Sequence, residues 1–317
     1  MAKYTATDLH VDRMLTQISV GYGNPSYIAD QILPVVRVSK QSDKYIVYDK
    51  SHWFRNEARL RAPATASQRG GWTYSNAAYY ADRYSYGHEI YDTDRANADD
   101  NFALDREATE FVSDKILMQR EVSAAAKFFT TGVWGLDRVG GTNFTVWSDY
   151  ANSNPLSDIS GWMDTVEASI GREPNTLVLG KQAWLQLKWH PDLIDTIKYT
   201  QRSQMTVDLA AALFEVDRIL VGRAIYTTSP EGTAESSVSY SRIWGKNALL
   251  LYVPSSPGLR TPAAGYTFVW DYWPNSLMYI KRMRNEEREV DIIEANSFYT
   301  QVVTGAAAGV FASAAVA

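Results

Sequence analysis

From Lys44 to Arg61 apolar and polar side chains alternate. Ile46, Tyr48, Phe54, Ala58 and Leu60 share one parity, and Arg55, Glu57, Arg59 and Arg61 share the other. A period of two puts successive side chains on opposite faces of a strand, so the pattern predicts a long, half-buried strand. The small and breaker residues of APATASQRGG then predict a loop tip. WTYSNAAYYADRYSYGHEIYDTD resumes a strand-like, Tyr-rich pattern. Together these segments predict a β-hairpin with two long arms. Such a hairpin is not stable alone in water, and a neighbouring copy is one surface for it to lie on.

The pattern changes period after Asp99. Leu104, Ala108, Phe111, Met118, Val122, Ala125 and Phe129 recur at helical spacing, with Val112 and Ile116 beside them and Lys115 as a polar interruption. Asp99, Asp100 and Asn101 offer N-cap oxygens and acidic charge at the start, and Gly132 offers a stop. A helix of about 30 residues at 1.5 Å each is roughly 45 Å long, enough to cross most of a body of this mass.

Residues 157–265 predict a separate α/β lobe. Ile159, Met163, Val166 and Ile170 share one helix face ending at Gly171, and TLVLG reads as a short buried strand. KQAWLQLKWHPDLIDTIKYT predicts two short helices broken at Pro191, and TVDLAAALF another helix. DRILVGRAIYTTS and SRIWGKNALLLYV read as strands around the polar loop SPEGTAESS. From 266 onward strands return in YTFVWDYW and SLMYIKRMRNEEREVDIIEANSF, with KRMRNEERE as a solvated hairpin turn. Upstream, GYGNPS is turn chemistry and the Pro of ADQILPVV stops any helix, so residues 1–35 read as an extended or partly helical arm. The Ala-rich tail TGAAAGVFASAAVA reads as a strand or as a segment lying on a neighbour. No internal repeat is evident.

Composition narrows the classes. With 45% hydrophobic and 21% charged residues, the 317-residue chain is an ordinary globular mix. The net charge of −5 gives no overall basic field for gripping nucleic acid. Cysteine is absent, which removes disulfides, thiolate metal sites and cysteine nucleophiles together. The polar N-terminus has no secretory h-region, and no apolar run reaches the roughly 18–20 residues a membrane span needs. The 20 Tyr and 10 Trp suit protein contacts and sugar binding alike.

Catalytic chemistry is not evident. His10, His52, His88 and His190 lack metal-ligand spacing. There is no nucleophile elbow, the GYGNPS segment fails the dinucleotide fingerprint, and Gly245-Lys246 lacks the upstream Gly of a phosphate loop. Asp92 and Asp94 are a carboxylate pair of the kind common in loops. The expectation is no catalytic residue, no cofactor and no metal.

The order of segments carries more than any one of them. An arm, a long hairpin, a long helix, an α/β lobe and a final β region resemble the major capsid proteins of tailed phages, an α+β architecture called the Hong Kong 97-like fold. YIADQILPVVRVSKQSDKYIVYDK is similar to the family's arm-to-loop junction, and TLVLGKQAWLQLKWHPDLIDTIKYT to its axial-domain passage. The resemblance implies an N-terminal arm at 1–43, an extended loop at 44–97, and a spine helix opening the peripheral domain over 98–156. It implies an axial domain at 157–265 and a return to the peripheral domain at 266–317.

The resemblance further implies an icosahedral head shell of hexamers and pentamers enclosing double-stranded DNA without sequence-specific binding. Such a shell is assembled in the host cytoplasm, is part of the virion, and needs no membrane. Scaffolding, portal and decoration proteins are the partners it suggests. Arg55, Arg59, Arg61, Arg69, Trp72, Tyr74, Arg83, Tyr84 and Tyr86 become the candidate inter-subunit contacts. Some relatives weld loop to neighbour through a Lys–Asn isopeptide bond. Residues 51–97 hold no Lys, so the expectation is a shell locked without covalent links. The start of the chain at the arm adds the expectation of a separate scaffolding protein, or none. Rival readings are an encapsulin-type nanocompartment with the same fold, a carbohydrate-binding or tail-associated β protein, and a hydrolase.

Overall fold

The computed structural model describes residues 27–48, 50–97, 101–197, 205–230, 232–258, 261–273 and 277–317. The chain opens with a turn of helix α1 (Ala29–Ile32), strand β1 (Val35–Val38), strand β2 (Ser42–Tyr48) and a turn of helix α2 (Lys50–Trp53). Strands β3 (Tyr74–Tyr80) and β4 (Asp82–Tyr91), helix α3 (Asp92–Asn97) and the long helix α4 (Asn101–Phe128) follow. Next come β5 (Leu136–Val139), α5 (Pro155–Ile170), β6 (Thr176–Gly180), α6 (Lys181–Lys188), α7 (Pro191–Ile197) and α8 (Val207–Leu213). The rest is β7 (Arg218–Gly222), β8 (Ile225–Thr227), β9 (Tyr240–Arg242), β10 (Ala248–Leu251), β11 (Gly265–Trp270), β12 (Tyr279–Asn285), β13 (Val290–Val303) and β14 (Gly309–Ser313).

Two five-stranded sheets organise these elements. In the first, the 14-residue β13 is central. β4 pairs antiparallel along one edge of it, from Asp82↔Tyr299 to Tyr91↔Val290. β12 and then β11 pair along the other, and β1 adds parallel to β11. Helix α4 packs on β13 and β4, with Ile90, Ala108, Val112, Ile116, Ile280 and Ile293 as the core between them. The second sheet runs β5-β14-β10-β6-β7.

Helix α4 appears where the period predicted it, but its buried stripe is rotated. The inward residues are Ala108, Thr109, Val112, Ser113, Ile116, Arg120, Glu121, Ala124, Ala125 and Phe128, whereas Phe111 is exposed and Met118 and Val122 are half-buried. Four of the inward residues are polar or charged and find hydrogen-bond partners inside, so an apolar count places the face wrongly. At 28 residues the helix is about 42 Å long. It ends at Phe128, before Gly132, whose left-handed backbone (φ 82°) instead turns the chain. The acidic cap at Asp99 and Asp100 lies outside the described residues.

The predicted hairpin is shorter than its alternation suggested. β2 pairs with β3 from Ser42↔Tyr80 to Tyr48↔Tyr74. Beyond Tyr48 the long strand expected through Arg61 is absent. Residues 50–53 are helical and 54–73 form neither helix nor strand. A strand needs a ladder partner for its backbone groups. The facing stretch holds Pro63, a left-handed Ala64 (φ 61°) and Gly70-Gly71, which supply none. Residues 82–91 leave the hairpin altogether and join β13.

The α/β lobe forms from the predicted elements. Asn154 caps α5 by accepting from the Ser157 backbone N–H at 3.0 Å, and Gly171 ends it in the left-handed region (φ 65°). β6 is buried throughout, and α6 and α7 break at His190-Pro191 as expected. Each long predicted strand of this region is split in two. The lobe is also larger than the span 157–265. β5 and β14 belong to its sheet, and Trp134, Phe144, Trp147, Val310 and Phe311 lie in its core. Residues 136–156 and 305–317, grouped with the last strands from sequence, therefore pack here. The Ala-rich tail places β14 between β5 and β10, and a strand buried on both faces shows no alternation to read.

Candidate assembly interface

The frame that carries the exposed segments is tied together by buried charge. Glu121 is fully buried on α4 and accepts from the backbone N–H groups of Ile28 at 3.0 Å and Ala29 at 2.8 Å, and from Trp244 Nε1–H. Burial pushes its carboxyl above the ordinary carboxylate range, Asp30 adds to the rise, and the N–H donors oppose it. The adjacent Arg120 donates to Asp30 at 2.9 Å and to Ser297 Oγ at 3.0 Å, and lies over the Tyr299 ring at 4.5 Å. One turn of α4 thus joins α1, β13 and the lobe.

A second network fixes β4, α3 and the β12–β13 hairpin. Arg95 pairs with Asp105 at 2.7 Å and Asp291 at 3.1 Å, and Arg282 with Asp291 at 3.0 Å. Arg284 pairs with Asp92, and Arg288 with Glu89 at 2.7 Å. The segment read as a solvated turn is exposed chiefly at 286–289; Lys281 is buried, and Arg282 and the exposed Arg284 are engaged in ion pairs. Pairing with Asp92 also holds the Arg284 guanidinium well above its usual value.

Three of the nine predicted contact residues sit on β4 in this frame. Arg83 donates to Glu294 at 3.0 Å and to Asn296 Oδ1 at 2.9 Å. Tyr84 stacks on Tyr299 with centroids 4.6 Å apart, and Tyr86 meets Phe111 edge-on at 5.9 Å. The structure gives these three partners within their own chain.

The other six lie on or beside the loop 54–73. Arg55 reaches only its neighbour Glu57, at 3.3 Å, and Arg61 Nε donates to the Thr65 carbonyl at 2.5 Å. Arg59 and Arg69 meet no carboxylate among the described residues. Trp72 and Tyr74 are more than half exposed, and Leu60 is as open as in an extended peptide. The loop's base meets the lobe where Phe54 lies over Gly171, close enough that an added Cβ there would stand 3.1 Å from the ring. A cavity of about 820 Å³ opens beneath, lined by Tyr45, Phe54, Ile170, Pro262, Tyr266 and Phe268 among others.

The described histidines each sit in separate surroundings. His52 lies 3.1 Å from Thr73 Oγ1, His88 lies against Phe111, and His190 is buried beside Ser153 at 2.9 Å. His10 lies outside the described residues. Among the described residues no His, Cys, Asp and Glu side chains group as metal ligands, and no helix is long and apolar enough to cross a membrane. Sequence reasoning missed a second exposed surface. Ile225 and Tyr240, on the β8–β9 ribbon, are both more than half exposed, with Arg223 and Arg242 beside them. The short alternation of IYT and YSR is too brief to mark it.

No family model matches the chain. It is 29% identical over 307 residues to the major capsid protein of Burkholderia phage BcepMu, covering 94% of each chain. It is 28% identical over 247 residues to that of Pseudomonas phage JBD67, covering 76% of this chain and 77% of the relative. Among solved structures, a phage-related protein from Bordetella bronchiseptica RB50 superposes with a TM-score of 0.73 at 23% identity, covering 97% and 98% of the two chains. The capsid of Cyanophage P-SCSP1u gives 0.57 at 11% identity over 98% and 92%. A virus-like particle from Pyrococcus furiosus gives 0.54 at 12% identity over 95% and 97%. Over nearly its whole length, then, this chain is similar to phage major capsid proteins and has the fold seen in phage capsid subunits.

Proposed function

We propose that this chain is the major capsid protein of a tailed phage, which assembles with copies of itself into the icosahedral head shell enclosing double-stranded DNA. The observation that carries the assembly reading is the loop 54–73. It is exposed over most of its length, and beyond its Phe54 anchor Arg59, Leu60 and Arg69 are covered by no described element of their own chain. An exposed run of apolar and Arg side chains on a rigid base is the composition of an interface awaiting a partner. Repeated heterologous contacts of one chain close into rings and then into a shell.

In this reading α4 is the spine helix and residues 27–43 are the described part of the arm. The hairpin β2–β3 with the loop 54–73 is the extended loop. The sheet of β1, β4, β11, β12 and β13 is the peripheral domain, and the β5-β14-β10-β6-β7 lobe is the axial domain. Arg55, Arg59, Arg61, Arg69, Trp72 and Tyr74 are the contacts offered to a neighbour. Arg83, Tyr84 and Tyr86 support the base of that reach. The role is structural, in the virion shell, with hexamers and pentamers as its units. The absence of Lys from 51–97 makes the lock non-covalent. Denaturing electrophoresis of particles should then give a single band at the 35.6 kDa chain mass, and ladders of linked subunits overturn that point.

Electron microscopy of the purified protein tests the whole reading: closed icosahedral particles are expected, and only dispersed monomers refute it. Likeness to the Pyrococcus furiosus virus-like particle favours a second reading, a nanocompartment shell. Particles from the natural source that hold protein cargo and no DNA would select it.

A further inference from the structure

Three cations of the lobe, Lys181, Arg223 and Arg242, gather at one corner with no carboxylate paired to them among the described residues. β6 and β7 run parallel with Gly180 opposite Gly222, so Lys181 and Arg223 leave adjacent strand ends together. β8 pairs with β9 so that Ile225 faces Arg242, and the Ile243 N–H bonds the Ala224 carbonyl at 3.1 Å. This brings Arg242 to the same corner. Arg223 and Arg242 are exposed, and none of the three makes an ion pair among the described residues. Burial, and after it repulsion from Arg223, Arg242 and Lys188, pushes the Lys181 ammonium below its ordinary value. Ile225 and Tyr240 lie exposed on the same ribbon. Such a mixture of Arg, Tyr and an aliphatic side chain is the composition of a protein contact; phosphate needs no Ile.

The complementary charge is on the opposite side of the same lobe. β7 is the edge strand next to the cationic corner, whereas α5 packs on β14 and the turn 306–308, toward the β5 edge. Helix α5 buries Ile159, Trp162, Val166 and Ile170 and turns Asp164 and Glu167 outward. They sit one turn apart with no cation partner among the described residues. A subunit in a ring shows opposite sides to its two neighbours, so two such sides must be complementary.

We propose that in the assembled ring Lys181, Arg223 and Arg242, with Ile225 and Tyr240, dock on Asp164 and Glu167 of the next copy. This inference rests on the shell reading, and the wild-type chain checks that reading first: if it forms no closed particles, the shell reading itself has failed.

Given wild-type particles, Arg223→Glu with Arg242→Glu should lower the assembled fraction by about tenfold or more while circular dichroism and melting temperature stay unchanged. Arg223→Lys with Arg242→Lys keeps the charge and should assemble. Asp164→Lys with Glu167→Lys should fail like the first pair, and combining the two reversed pairs should restore particles. Sedimentation and microscopy read all four. A combined variant that stays unassembled overturns the pairing. Normal shells from Arg223→Glu with Arg242→Glu that merely retain less DNA also overturn it, because the corner would then serve phosphate.

Discussion

Two sets of arginines in this chain have opposite fates. Arg83, Arg95, Arg120, Arg282 and Arg284 each close on a carboxylate of the same chain that lies far away in sequence. Arg55 and Arg61 on the loop 54–73 bond only to near neighbours in the chain, and Arg59 and Arg69 meet no carboxylate among the described residues. The first set consumes its charge in making a frame, with ion pairs partly shielded from water. The second keeps its charge on a loop that the frame holds out at Phe54 and Gly171. The contrast separates what holds one copy together from what that copy offers to another.

The comparison can be broken in four ways, in falling order of effect on the single chain. Leu179→Ala, in the fully buried β6 of the lobe, should cost about 3–5 kcal/mol of folding stability in urea melts. A loss as small as a surface substitution would mean β6 is not the core of the lobe. Glu121→Ala strands the buried donors of Ile28, Ala29 and Trp244 and should cost about 3 kcal/mol, with earlier proteolysis of the α1 segment. Burial raises the folded Glu121 carboxyl above its ordinary 4.5, so the native chain binds that proton more tightly than the unfolded one. Its contribution is therefore full below pH 4.5 and is lost as pH rises through the raised value. Melts of wild type against Glu121→Gln should show the difference falling across that window; a flat difference refutes the assignment.

Arg95→Ala removes pairs to Asp105 and Asp291 that Arg282 only partly replaces. It should cost about 1–2 kcal/mol, visible as a lower melting temperature. Leu60→Ala, or Arg59→Ala with Arg69→Ala, should move folding stability by less than about 0.5 kcal/mol. The same loop variants should depress particle yield on microscopy grids. A loop variant that destabilises the chain as much as Arg95→Ala does would dissolve the contrast.

What could be read in the sequence followed from local periodicity. The 3.6-residue recurrence gave α4 and α5, and Gly171 and Pro191 set breaks that the structure keeps. The face of α4 was misplaced because polar residues are buried on it: Arg120 and Glu121 find distant partners in Ser297 and Trp244, and Thr109 and Ser113 bond carbonyls one turn back in the helix. The strand through Arg61 was over-read because alternation reports a possible face and says nothing of a pairing partner. Among the contact candidates, the loop residues were legible as Arg and aromatics beside breakers. The use of Arg83 and Tyr84 inside the sheet was not, since Asn296 and Tyr299 lie more than 200 residues on.

The sequence alone determined the long helix, the helices and short strands of the lobe and their order, the lack of thiol chemistry and the Lys-free loop, because each depends on neighbouring residues or on composition. Only the tertiary structure decided which strands share a sheet: β4 left the hairpin for β13, and β14 came from the chain's end into the lobe. It also decided which charges are spent inside and which face outward. Both are outcomes of long-range pairing, where the free energy comes from partners that no local pattern names.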